Sequence, residues 1–290
     1  MEGGSAGSRS LRLGPRALYP AKAAYTRARS GLWLARSRGR VAGCGRILFY
    51  HRVSAASDEL AVTPQRFRRQ MDEVARHGLR AVDIGTLVDA LRAGSAGTLV
   101  GLSFDDGYLD VAEEAAPVLG ALGFSASVFV ATAVTDGTAQ FTWYDEQPPL
   151  IPWERIAALD GDSPLVFEAH TITHPNLLAL DDDAARQEIE GSKTILEERL
   201  GRLVRGFCYP AGLFGERERR LVADAGFEWA TSCEPGTNDA GTDRHALRRI
   251  QIDHRDALLD FRAKLGGGHD TPPPLRALYR RARYASSSRS

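Results

Sequence analysis

Short apolar runs alternate with stretches whose apolar residues recur every three or four positions, from Arg46 to Leu265. Runs at 46–50, 79–84, 99–104, 125–130, 165–167, 204–209, 229–232 and 247–252 predict buried strands. Helical spacing predicts helices over 85–93, 112–122, 153–159, 181–200, 216–225 and 257–265. The longest of these places Ile189, Ile195, Leu196 and Leu200 near helical spacing and closes on Gly201. A further helix starts at Thr63-Pro64, the threonine as N-cap and the proline at the first helical position. It turns Phe67, Met71 and Val74 inward and stops at Gly78. Residues 142–152 read as an irregular loop with aromatics and prolines. Strands alternating with helices imply parallel β/α units, hence a barrel or a doubly wound sheet.

The ends differ from this body. Residues 1–10 are Gly, Ser and Arg, a disordered composition. Over 11–40, apolar residues are interleaved with arginines, but Gly14, Pro15, Pro20 and Gly31 interrupt any helix, which predicts a flexible arm over 1–45. Weak membrane-surface association through residues 11–40 is the other reading. A body over 46–268 and a basic tail over 269–290 complete the expected organisation.

Charge sharpens the division. The 290-residue chain is neutral overall, yet residues 1–46 hold ten Lys/Arg against one acid, and 271–290 hold five Arg and no acid. Residues 47–270 therefore carry 22 basic and 36 acidic side chains, a net of −14, which argues against a body built to bind nucleic acid. Cys44, Cys208 and Cys233 are too few and too scattered for a disulfide framework or a cysteine-based zinc site. No apolar segment of signal-peptide type opens the chain, and no window approaches the 18 apolar residues of a membrane span. The expected location is cytoplasmic, or peripheral at the inner membrane face.

Three strand ends carry chemistry. The run 99–104 ends in Asp105-Asp106-Gly107, which is either ordinary turn chemistry or the opening of a catalytic loop. Adjacent residues leaving a strand point to different sides, so one carboxylate can hold a cation while the other takes a proton. His170 and His174, four apart just past a strand, can converge on one ion, and two His plus a carboxylate is a hydrolytic metal-site ligand set. The segment 206–212, Gly-Phe-Cys-Tyr-Pro-Ala-Gly, offers a turn able to aim an N–H at an oxyanion.

In this order and spacing, Asp105-Asp106-Gly107, His170 to Pro175 and Phe207 to Gly212 resemble the polysaccharide deacetylases with a NodB homology domain, carbohydrate esterase family 4. The Phe-x-Tyr-Pro-x-Gly form is that of the branch resembling exopolysaccharide N-deacetylases. The likeness covers about residues 46–268 and implies an α/β fold, a distorted (β/α) barrel of about seven strands of the glycoside hydrolase/deacetylase type. It implies a metal-dependent hydrolase that removes N-acetyl groups from an N-acetylhexosamine-containing glycan or glycolipid. Its cofactor would be one divalent ion, zinc first, with cobalt, nickel, iron or manganese open. The resemblance assigns Asp106, His170 and His174 to the metal and Asp105 to the general base. Tyr209, Pro210 and Ala211 fall to the substrate and oxyanion side, with the backbone N–H of Ala211 on the oxyanion.

The general acid is either His51, which ends an apolar strand, or His254 in Ile252-Asp253-His254, which otherwise belongs on the substrate side. Cys208 stands where the family commonly has an arginine, and Arg249 resembles an arginine of the last strand able to orient Asp105 instead. Glu168 either orients a ligand histidine or crowds the site, and Trp229 is the candidate for the acetyl-pocket tryptophan. Rival readings are an amidase on a small non-sugar amide and an inactive carbohydrate-binding scaffold. Joint retention of Asp105, Asp106, His170 and His174 weighs against the scaffold.

Overall fold

The structure, a computed structural model, describes residues 19–37 and 45–270. The readings for residues 1–18, for Cys44 and for the tail beyond Asp270 lie outside them. Strands β1 (Arg46–Tyr50), β5 (Leu99–Phe104), β6 (Ala126–Val130), β7 (Leu165–Ala169), β8 (Gly206–Cys208), β9 (Trp229–Thr231) and β10 (Ile250–Gln251) form one parallel path in the order β10-β1-β5-β6-β7-β8-β9. An eighth strand, β4 (Arg80–Val82), shares one edge of β5 with β6: it pairs with Leu99–Gly101, and β6 pairs with Ser103 and Phe104. The pair β2 (Arg52–Val53) and β3 (Ala61–Val62) lies apart. Leu247 closes the path by pairing with Thr231 of β9, three residues before Ile250 pairs with β1. The result is the distorted (β/α) barrel, seven strands around and one beside.

The strands form where the sequence is apolar on both faces: every residue of β1, β5 and β6 is buried. Gly101 lets β1 close on β5, because a Cβ there would come within 2.9 Å of the Ile47 and Leu87 side chains. Helices α2 (Pro64–Arg76), α3 (Ile84–Arg92), α4 (Ala116–Leu122), α6 (Trp153–Leu159), α7 (Asp182–Leu200), α8 (Glu216–Asp224) and α9 (Leu258–Gly266) fill the connections, with a single turn α5 (Thr132–Thr135) after β6. The Thr63 hydroxyl caps α2 by accepting from the Arg66 N–H, and Phe67, Met71 and Val74 are fully buried.

One expectation is refined and another fails. The segment 112–122 opens instead as a π-turn over 111–115, directly beyond the Asp-Asp loop, a deformation common beside functional sites. Residues 19–37 form a helix, α1, although Pro20 and Gly31 lie within it. Proline is tolerated in a first turn. Docking carries the rest: Trp33 packs on Gly266 and Gly268, where a Cβ would meet its ring at 2.0 Å and 2.7 Å. Arg29 donates to the Gly268 carbonyl at 2.8 Å, and Arg27 pairs with Asp260.

Candidate active site

The site gathers at the carboxyl ends of β1, β5, β7 and β8, where a parallel barrel exposes its loops. Asp105 still follows the sheet, its N–H donating to the Tyr50 carbonyl at 2.9 Å. Asp106 turns into the left-handed region at φ 75°, so the two carboxylates diverge. Thr171, His174 and Ala211 also have positive φ, and among the described residues these four are the non-glycines that do. Such strain costs on the order of 1–3 kcal/mol per residue and persists where the surroundings impose it.

Asp106 lies against both histidines. Its Oδ1 is 3.6 Å from His170 Nε2 and 3.7 Å from His174 Nε2. These spacings are too long for hydrogen bonds. They approach the roughly 3.3 Å edge between two ligands of a tetrahedral ion with bonds near 2.0–2.1 Å. His170 donates Nδ1–H to the Cys208 carbonyl at 2.7 Å, which leaves Nε2 as the free lone pair. The His174 N–H donates to Thr171 Oγ1, and Glu188 of α7 receives the N–H groups of Ile172 and Thr173 at 2.8 and 2.9 Å.

Burial pushes the Asp106 carboxyl up to about 7, against the pull of His170. Burial, then His170, holds the His174 imidazole well below its usual value, in the neutral form a metal takes. A buried acid facing two imidazole nitrogens is a donor set that fits a divalent cation.

Asp105 has the opposite surroundings. Burial alone would raise it, but Arg249 keeps its carboxyl below the usual carboxylate range. The guanidinium meets both oxygens, at 2.6 and 2.8 Å, and is fully buried. Its Nε donates to the Ser232 carbonyl, its Nη1 to Ser103 Oγ, and its plane lies 4.3 Å from the Phe49 ring centroid. Cys208 Sγ sits 3.0 Å from Nη2, so a small side chain on β8 leaves the space that Arg249 enters from beside β10. Asp105, His170 and Cys208 also lie close enough to share an ion. Burial pushes the thiol up, however, and Asp105 already has both oxygens on Arg249, which favours the Asp106 set.

His51 follows β1 with its ring edge-on to Phe49 and with Asp105, Arg249, His170 and Asp58 as its charged surroundings. Burial lowers its pKa and Asp105 partly restores it. His254 is turned elsewhere, with Nδ1 2.7 Å from the Glu59 carbonyl and 3.1 Å from its neighbour Asp253. The Ala211 N–H, in the turn Pro210–Gly212, has no acceptor among the described residues. The Tyr209 side chain faces away, its hydroxyl donating to the His245 carbonyl at 3.0 Å and its ring stacked on Phe214.

Two expectations are corrected. Glu168, two residues before His170 and one layer deeper, accepts the Gly206 N–H at 2.7 Å and neither orients His170 nor crowds the rim. Trp229 is fully buried against Phe129 and Gly206, so it lines no acetyl pocket. The aromatic beside the two histidines is Trp143, 42% exposed, stacked on Phe141 at 4.5 Å and edge-on to His174 at 5.0 Å. Its loop is fastened across the mouth by the Tyr144 hydroxyl on Asp58, which also holds Arg52. Glu188 and the Cys208 carbonyl were not foreseen, since one acts from a distant helix and the other through its backbone.

The sequence profile described as Polysaccharide deacetylase matches residues 93–230, and both carboxylates, both histidines and Cys208 to Gly212 fall inside it. Over these residues the chain is similar to the polysaccharide deacetylases. A similar protein, the putative polysaccharide deacetylase YxkH of Bacillus subtilis (strain 168), is 24% identical over 208 residues, 71% of this chain and 70% of that protein. Among solved deacetylases, the Streptococcus pyogenes enzyme PplD, determined with acetate, superposes with a TM-score of 0.65 at 22% identity, covering 72% of this chain and 92% of its own. IcaB from Ammonifex degensii gives 0.64 at 24% identity, covering 77% and 97%. At these identities the likeness to solved structures is one of fold.

Proposed function

We propose that this chain is a member of the polysaccharide deacetylases and a metal-dependent N-deacetylase acting on an N-acetylhexosamine-containing glycan or glycolipid. One observation carries the reading: Asp106, His170 and His174 converge beside a second carboxylate that Arg249 holds ionised. Asp106, His170 and His174 would hold the ion, which supplies Lewis acidity and makes water a better nucleophile near neutral pH. Zinc suits two imidazoles and a carboxylate, and cobalt, nickel, iron and manganese accept the same donors.

Asp105 takes the proton of the attacking water, and Arg249 fixes the direction of its lone pairs. The Ala211 N–H faces the oxyanion that forms on the acetyl carbonyl. His51 returns a proton to the departing amine, its place among Asp105, Arg249 and His170 favouring it over His254, whose Nδ1 is engaged by Glu59. Trp143 offers the sugar ring an exposed flat face beside His174.

Acetate release from chitooligosaccharides and from β-1,6-linked N-acetylglucosamine oligomers, with zinc or cobalt supplied, tests the reading. Release abolished by Asp105→Asn supports it. Turnover of small non-sugar amides alone would make the protein an amidase. Tight zinc binding without any hydrolysis would make it a scaffold.

A further inference from the structure

Helix α1 has a face that no other described residue covers. Its inner side is fixed by Trp33, Arg29 and Ser30, whose hydroxyl lies 3.0 Å from His269 Nε2. On the opposite side Ala24, Tyr25, Ala28, Leu32 and Ala35 are exposed at helical spacing, with Tyr25 51% and Leu32 52% accessible. These make an apolar stripe along a helix about 28 Å long, at 1.5 Å per residue. The helix contains four Lys/Arg and no acid.

The ends of the body meet beside this helix. Arg46, where β1 begins, pairs with Asp270, the last described residue, at 2.8 Å, and Arg29 of α1 is bonded two residues earlier, at Gly268. The basic segment through residue 46 and the basic segment from residue 271 therefore start from one side of the molecule. Together they contribute fifteen Lys/Arg and one acid, against a body of −14.

We infer that the outer face of α1 docks on an anionic lipid surface, with Tyr25 and Leu32 entering the interface and exposed Arg36, with the surplus Lys/Arg of the two ends of the sequence, meeting the headgroups. An apolar stripe between basic residues, without acids and without the length of apolar sequence needed to span, is the pattern of a helix lying in a membrane interface. A nucleic acid would use the charge but not the stripe. The chain's own tail is excluded by like charge: residues 271–290 hold five Arg and no acid. Docking on this side would hold the protein at a bilayer while the strand-end site stays free for its substrate.

Sedimentation of the full chain with vesicles of phosphatidylglycerol and phosphatidylcholine tests this, beside pure phosphatidylcholine vesicles and a single-stranded RNA. The expected result is binding to the anionic vesicles alone, lost near about 1 M salt where the Debye length falls to about 3 Å. The double variant Tyr25→Glu/Leu32→Glu, altered only at exposed positions, is expected to bind about tenfold more weakly or worse. Its far-ultraviolet circular dichroism and metal affinity should stay unchanged. Equal binding to both vesicle types, or a double variant that binds like the parent, overturns the inference. RNA bound at salt where vesicles are ignored overturns it in favour of nucleic acid.

Discussion

Asp105 and Asp106 are chain neighbours with nearly the same burial, 3% and 2% exposed, and yet sit in opposite halves of the site. The Asp105 half is finished: a guanidinium meets both oxygens and is itself bonded to Ser232, Ser103 and Cys208. The Asp106 half is built from backbone strain and faces two imidazole nitrogens, that of His174 kept neutral by burial. Burial alone does not set a carboxyl's behaviour; its partners do. One acid is held ionised by its guanidinium, and the other is pushed up by burial against two imidazole nitrogens.

Arg249→Met should break the contrast most severely. It strands a buried carboxylate, which costs about 3–5 kcal/mol. Chemical unfolding of metal-free and zinc-loaded protein should show the loss in both. An unchanged midpoint would mean that Arg249 is not what holds Asp105.

Asp106→Asn should do the reverse. It removes an acid with no cation beside it, so metal-free stability should hold or rise while zinc affinity falls by about 100-fold or more. In the parent, the free Asp106 carboxyl titrates near 7, and zinc needs it ionised. Zinc affinity should therefore be full above that pH and weaken by up to about tenfold per unit below it, with protons released on binding. Calorimetry in two buffers of different ionisation enthalpy reads both effects.

Trp143→Ala should have the smallest effect. Loss of one exposed ring is worth about 1 kcal/mol, so KM for oligosaccharides should rise about fivefold with kcat little changed. A fall in kcat alone would show that the ring serves to position His174.

The sequence disclosed strand ends better than what surrounds them. Asp105, Asp106, His170 and His174 were legible because each leaves a short apolar run, and Arg249 because the resemblance supplied an arginine for the place Cys208 vacates. Glu168 was misjudged because β7 runs two residues beyond the apolar stretch, to Ala169, which puts the acid inside the barrel. Helix α1 was missed because local breakers were weighed without the glycines on which Trp33 rests. The run 247–252 did not become one strand, since Leu247 pairs with β9 and Ile250 with β1. Such partner changes leave no mark in an apolar pattern.

That late seam has a consequence for synthesis. Asp106, His170 and His174 are all present once the ribosome has passed residue 174, whereas the guanidinium that steadies Asp105 arrives only with residue 249, beside the last strand. A nascent chain can thus bring this acid and both imidazoles together long before Asp105 has its guanidinium. The bidentate pairing of Asp105 is withheld until the final stave of the barrel has been set.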